Sequence, residues 1–150
     1  MQVTINGKTN ELKFNYRALF KVNAEFSSLN EKGNRLKDGA LNLFNRVLTN
    51  DITVIPDLVK VTGNFGKLSD DELFDAIEEL TNGGDAIEQV MSDLKDEMKN
   101  SGFFNQSISA QVKQSEEFMP QMEAMAKSDQ QMKMQLPAIK KLTALVKENL

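Results

Sequence analysis

Near the N-terminus apolar and polar side chains alternate with a period of two. Val3 and Ile5 stand between Gln2, Thr4 and Asn6, and Leu12 and Phe14 alternate with Glu11 and Lys13. This is the pattern of strands buried on one face. Between the two runs, Asn6-Gly7 supplies the two positive-φ positions of a tight type I′ turn, so residues 2–14 read as a β-hairpin. Two strands alone are marginally stable in water, and the Val3, Ile5, Leu12, Phe14 face therefore needs a helical cover.

From Asn15 onward the period lengthens. Tyr16, Leu19, Phe20, Asn23 and Phe26 fall at helical spacing behind Asn15, a capping residue, and predict a helix over about 16–27. Residues 28–37, with Gly33 and scattered charges, read as a loop. Asp38 is expected to cap a helix carrying Leu41, Phe44, Val47 and Leu48 and ending near Asn50. Pro56 disfavours a helix interior but suits a first turn, which gives a short helix reaching Thr62. Ser69-Asp70-Asp71-Glu72 has capping-box spacing, with Leu68 placed to staple onto Leu73 and a core face of Leu73, Ile77 and Leu80. After Asn82-Gly83-Gly84, Asp85 and Glu88 repeat the cap spacing before a stripe of Ile87, Val90, Met91, Leu94 and Met98, which Gly102 is expected to stop.

Composition shifts at that point. Residues 1–101 carry 12 basic and 17 acidic side chains, residues 102–150 carry 6 and 5, and five of the eight Met lie between 119 and 134. Phe118, Met122, Met125, Asp129, Met132, Leu136, Ile139, Thr143, Val146 and Leu150 are separated alternately by four and three residues, a heptad spacing. Pro137 is expected to break this stripe into two amphipathic helices, about 120–135 and 138–149, with coil as the alternative. The fold class is α+β, mostly α. An N-terminal β-hairpin packs on a bundle of about five short helices (residues 1–101), followed by a Met/Gln-rich amphipathic helical or partly disordered tail (residues 102–150).

Candidate chemistry is sparse. With Cys 0 and His 0, disulfides, thiolate metal sites, Cys nucleophiles and Ser-His-Asp triads are excluded. Asp70, Asp71 and Glu72 read as first-turn carboxylates that offset a helix dipole, and no calcium-loop spacing surrounds them. Gly63-Asn64-Phe65-Gly66-Lys67 lacks the glycine gap and the following Ser/Thr of a phosphate loop. No catalytic, cofactor-binding or metal residue is therefore assigned, and an enzyme is not expected. A net charge of −4 opposes nucleic acid as a partner. No apolar run approaches the roughly 20 residues of a membrane span, and Met1-Gln2-Val3-Thr4 does not begin a signal peptide, so a soluble cytoplasmic protein is expected. Met surfaces adapt to varied apolar partners. Phe118, Met122, Met125, Met132 and Leu136 are accordingly the candidate partner-binding residues; the bland alternative is a stripe that docks on its own domain or dimerises. Phe103 and Phe104 read as a latch onto the core.

The run Ile5-Asn6-Gly7-Lys8-Thr9-Asn10-Glu11-Leu12-Lys13-Phe14-Asn15-Tyr16-Arg17-Ala18-Leu19-Phe20 is followed by Gly39-Ala40-Leu41-Asn42-Leu43-Phe44, then by residues 51–58 and the Ser69-Asp70-Asp71-Glu72-Leu73 helix start. Over roughly residues 1–100 this resembles the tail assembly chaperones of long-tailed phages or prophages of Gram-positive bacteria. The resemblance implies a non-enzymatic protein of the host bacterial cytoplasm. It would bind the tape-measure protein and keep it soluble, help recruit tail-tube protein, self-associate, and be absent from the finished virion. A cytosolic adaptor that binds a single partner helix through its C-terminal tail is the alternative reading.

Overall fold

The computed structural model covers residues 1–150. Strands β1 (Gln2–Ile5) and β2 (Lys8–Glu11) pair antiparallel with Val3 opposite Asn10 and Ile5 opposite Lys8, and Asn6 and Gly7 take φ of 51° and 75° in the turn between them. Val3 and Ile5 are buried, and β1 packs on helix α4 (Asp70–Leu80), the cover that a two-stranded sheet requires. Leu12 and Phe14 continue the buried face past the end of β2. The Lys13 amide donates to the Thr62 carbonyl at 2.9 Å, which ties this extended segment to the end of α3 (Val54–Gly63).

The remaining helices are α1 (Tyr16–Phe26), α2 (Gly39–Leu48), α5 (Ile87–Asn100), α6 (Gly102–Ala126) and α7 (Gln130–Glu148). Asn15 caps α1 by accepting from the Ala18 amide, and Ser69 with Glu72 forms the full capping box of α4. The hairpin turn reaches this box: Asn6 Nδ2 donates to Glu72, and that contact and the Ser69 hydrogen bonds hold the Glu72 carboxyl below its ordinary range. Helix α2 is central. Its Ala40, Leu43, Phe44 and Val47 are buried, and it packs against α1, α3, α5, α6 and α7. Helix α3 is clipped to it by Arg46, whose guanidinium donates to Asp51 (2.9 Å), Asp57 (2.8 Å) and Thr53 (2.9 Å).

Several expectations are corrected. Asp38 does not cap α2; its Oδ1 accepts instead from the Ser28 amide at 2.7 Å and closes the 28–37 loop. Asp85 lies in a run of turns, and α5 begins after Ala86 with no side-chain cap. Gly102 is no stop signal but the first residue of α6. Extended Ser101 ends α5, and its Oγ accepts from the Phe104 amide while donating to the Phe14 carbonyl at 2.6 Å. On α1, Ala18 and Val22 turn inward, whereas Tyr16 and Phe20 face out.

The tail is helical throughout but breaks elsewhere. Pro120 lies inside α6 and Pro137 inside α7, while the chain reverses at residues 127–129. Both prolines are exposed, so the carbonyls that lose an amide partner, Glu116 and Lys133, can be hydrated at the helix surface. The apolar cluster also crosses the composition boundary: Phe104, Ile108, Val112 and Val146 belong to the same 25-residue core as Val3 and Phe44.

Two outcomes follow from this packing. A β-carbon on Gly39 would lie 2.3 Å from the Val22 carbonyl oxygen, so Gly39→Ala must push α2 off α1. Thermal denaturation should show a loss of about 1–3 kcal/mol, the usual range for overpacking. A chain ending at Asn100 loses Phe104, Ile108 and Val112, each worth about 1.5–3 kcal/mol buried. Against a total of about 5–15 kcal/mol, it should melt without a cooperative transition by circular dichroism.

Candidate functional site

Helices α6 and α7 form an antiparallel pair joined at Lys127–Asp129. Asp129 caps α7 by accepting from the Gln131 (2.9 Å) and Met132 (3.2 Å) amides, and Lys140–Glu123 (2.8 Å) and Lys147–Glu116 (3.1 Å) bridge the two helices. Exposed ion pairs of this kind set register more than stability. The heptad stripe is thus divided between two helices, with Asp129 at the turn. Of the five candidate residues, Leu136 is buried, Met122 and Met132 are half-buried, and Phe118 and Met125 remain exposed. Met134, outside the stripe, is the most exposed large apolar side chain of the protein.

At its base the helix pair rests on α2. Leu41, Val112, Ile139, Leu142 and Val146 line a crevice of about 140 Å³ there. Asn45 lines it too, and its buried Oδ1 has no hydrogen-bond partner.

A second surface lies where α1 meets the start of α6. Phe14 and Tyr16 meet Phe104 and Phe103 in two parallel contacts. The inner pair, Phe14–Phe104, packs edge-on at 5.4 Å within the core, and the outer pair, Tyr16–Phe103, packs edge-on at 5.7 Å on the surface. Phe104 is therefore the latch expected from sequence, whereas Phe103 is not buried. Tyr16, Phe20 and Phe103 are 62%, 66% and 50% exposed. Beside them an open groove of about 630 Å³ is lined by Leu19, Gly102, Phe103, Gln106 and Ser107. No charged residue occurs from Asn100 to Val112, in a chain that is 27% charged.

On the opposite flank of α1, Lys13 and Arg17 line a polar crevice of about 570 Å³ with Thr9, Asn10 and Asn64. Its one acid, Glu11, is engaged by the Met1 ammonium at 3.1 Å, and this contact holds the Glu11 carboxyl below its ordinary range. Lys13 and Arg17 have no carboxylate within ion-pair distance; Arg17 reaches only Asn64 Oδ1 at 3.4 Å. The sequence signal for this surface was the width of the apolar arc on α1. Ala18 and Val22 already fill the buried side, which leaves Tyr16 and Phe20 in excess.

A family model described as "Phage tail assembly chaperone protein, TAC" matches residues 2–113. No curated protein and no solved structure matches the chain. The matched stretch contains Tyr16, Phe20 and Phe103 and ends before Phe118.

Buried and open positions of the helix pair should respond unequally to substitution. Leu136→Ala removes a buried side chain and should cost about 2–3 kcal/mol. Changing Met122, Met125 and Met132 together to Gln alters only exposed and half-buried positions and should cost less than Leu136→Ala alone, as read by thermal denaturation.

Proposed function

Because the chain belongs to the phage tail assembly chaperone family, we propose that it binds the tape-measure protein, keeps that long chain soluble, helps recruit tail-tube subunits, and is absent from the mature virion. The carrying observation is the family match over residues 2–113, about three-quarters of the chain. Surface chemistry supports the reading. A protein that holds an aggregation-prone chain needs adaptable apolar surface on a charged, soluble body. Here Phe118 and Met125 are open, Met122 and Met132 are half-open, and Leu136 backs them from inside the α6–α7 pair. These five are the proposed partner-binding residues, acting with self-associated copies in the cytoplasm of a Gram-positive host.

Met-rich contacts suit transient binding, because the apolar contact is distributed and each residue contributes modestly. Co-expression tests the proposal. The tape-measure protein should move from the insoluble to the soluble fraction beside this chain, and light scattering of the complex should give many copies per target. An insoluble tape-measure protein would overturn the reading, and a complex with one copy per target would favour the adaptor.

A further inference from the structure

We propose that the first two turns of α1, together with the start of α6, form a docking site for an amphipathic helix that carries an acidic flank on another protein. Three observations converge on that occupant. The groove between α1 and α6 is apolar and uncharged along its α6 wall; Phe103 lines it, Tyr16 packs edge-on against Phe103, and Phe20 follows one turn on along α1, all three rings half or more exposed. A groove between two helices accepts a third helix through side chains at i, i+3, i+4 and i+7. On the other side of α1, Arg17 and, from the extended segment before the helix, Lys13 are not paired with a carboxylate, beside a crevice whose one acid, Glu11, already shares the Met1 ammonium with Glu97.

A helix lying along the groove with Leu or Met side chains against Leu19 and Phe103 would carry its flank over the α1 ridge. Carboxylates there would meet Arg17 and Lys13, giving the complementarity that sets orientation and specificity. The chain as a whole is negative, at −4, so this corner is a local exception that discriminates among partners. That the partner belongs to the assembling tail rests on the proposed function; its surface chemistry is read from this chain.

The experiment uses the full chain and two fluorescein-labelled 18-residue helical peptides with the same Leu face, one flanked by Glu and one by Lys. Fluorescence anisotropy should show the Glu peptide binding at least tenfold tighter, with the difference shrinking at high salt. Amide shifts should centre on Tyr16, Phe20 and Phe103. Lys13→Glu with Arg17→Glu should reverse the preference between peptides, and Phe20→Ser with Phe103→Ser should abolish binding of both. All four substituted side chains are exposed, so both double variants should melt like the parent.

Equal binding of the two peptides, or shifts confined to α7, would overturn the site. So would tighter binding of an oligothymidine than of the Glu peptide. Concentration-dependent self-association that Phe20→Ser with Phe103→Ser abolishes would assign the surface to a second copy instead. Failure to solubilise the tape-measure protein leaves this peptide readout intact, so the two readings fail separately.

Discussion

The body of the protein depends on one close approach. Helix α2 touches five of the other six helices, and it can reach that central position because residue 39 has no β-carbon where its backbone meets the Val22 carbonyl. Two polar contacts brace it: the Gly39 amide donates to Asn23 Oδ1 at 3.2 Å, and Asn42 Nδ2 donates to the Phe26 carbonyl at 2.7 Å. Dispersion and burial then accumulate on Leu43 and Phe44, which are fully enclosed. Arg46 extends the arrangement from α2 to α3. Burial lowers the pKa of its guanidinium, but hydrogen bonds to Asp51 and Asp57 more than offset this.

Where local chemistry decides the backbone, the sequence could be read directly. Asn6-Gly7 fixes a turn, and Ser69 with Glu72 fixes a helix start, because the atoms that make each bond lie within a few residues of each other. What the sequence concealed depends on tertiary context. The outward rotation of Tyr16 and Phe20 follows from how tightly Ala18 and Val22 pack, which periodicity does not weigh. The tail misleads for a different reason. Its four-three spacing continues through Asp129, so nothing in the apolar pattern marks the reversal, while the prolines that appear to mark breaks sit on exposed faces where helix can continue.

Of the candidate site, residue types were legible and geometry was not. Met and Phe between 118 and 136 are a compositional signal, but whether they face solvent depends on how α6 and α7 pair. Leu136 is enclosed while Phe118 is open. The aromatic surface on α1 arises from residues 87 apart in sequence, Tyr16 and Phe103, and appears only once Ser101 joins α5 to α6 against the Phe14 carbonyl.

That junction gives α6 a geometric role. Phe103 and Phe118 lie on roughly one side of a single helix, 15 residues apart before Pro120, and at about 1.5 Å per residue their separation is about 22 Å. The distance is held by backbone hydrogen bonds rather than by a linker. The two apolar surfaces therefore stand at a fixed interval. Were one ligand to engage both proposed surfaces, it would need apolar groups at that interval, about four turns apart if helical or about seven residues apart if extended. Selection by spacing would let unrelated side chains satisfy the same protein, so a target could vary its residues freely while keeping its period.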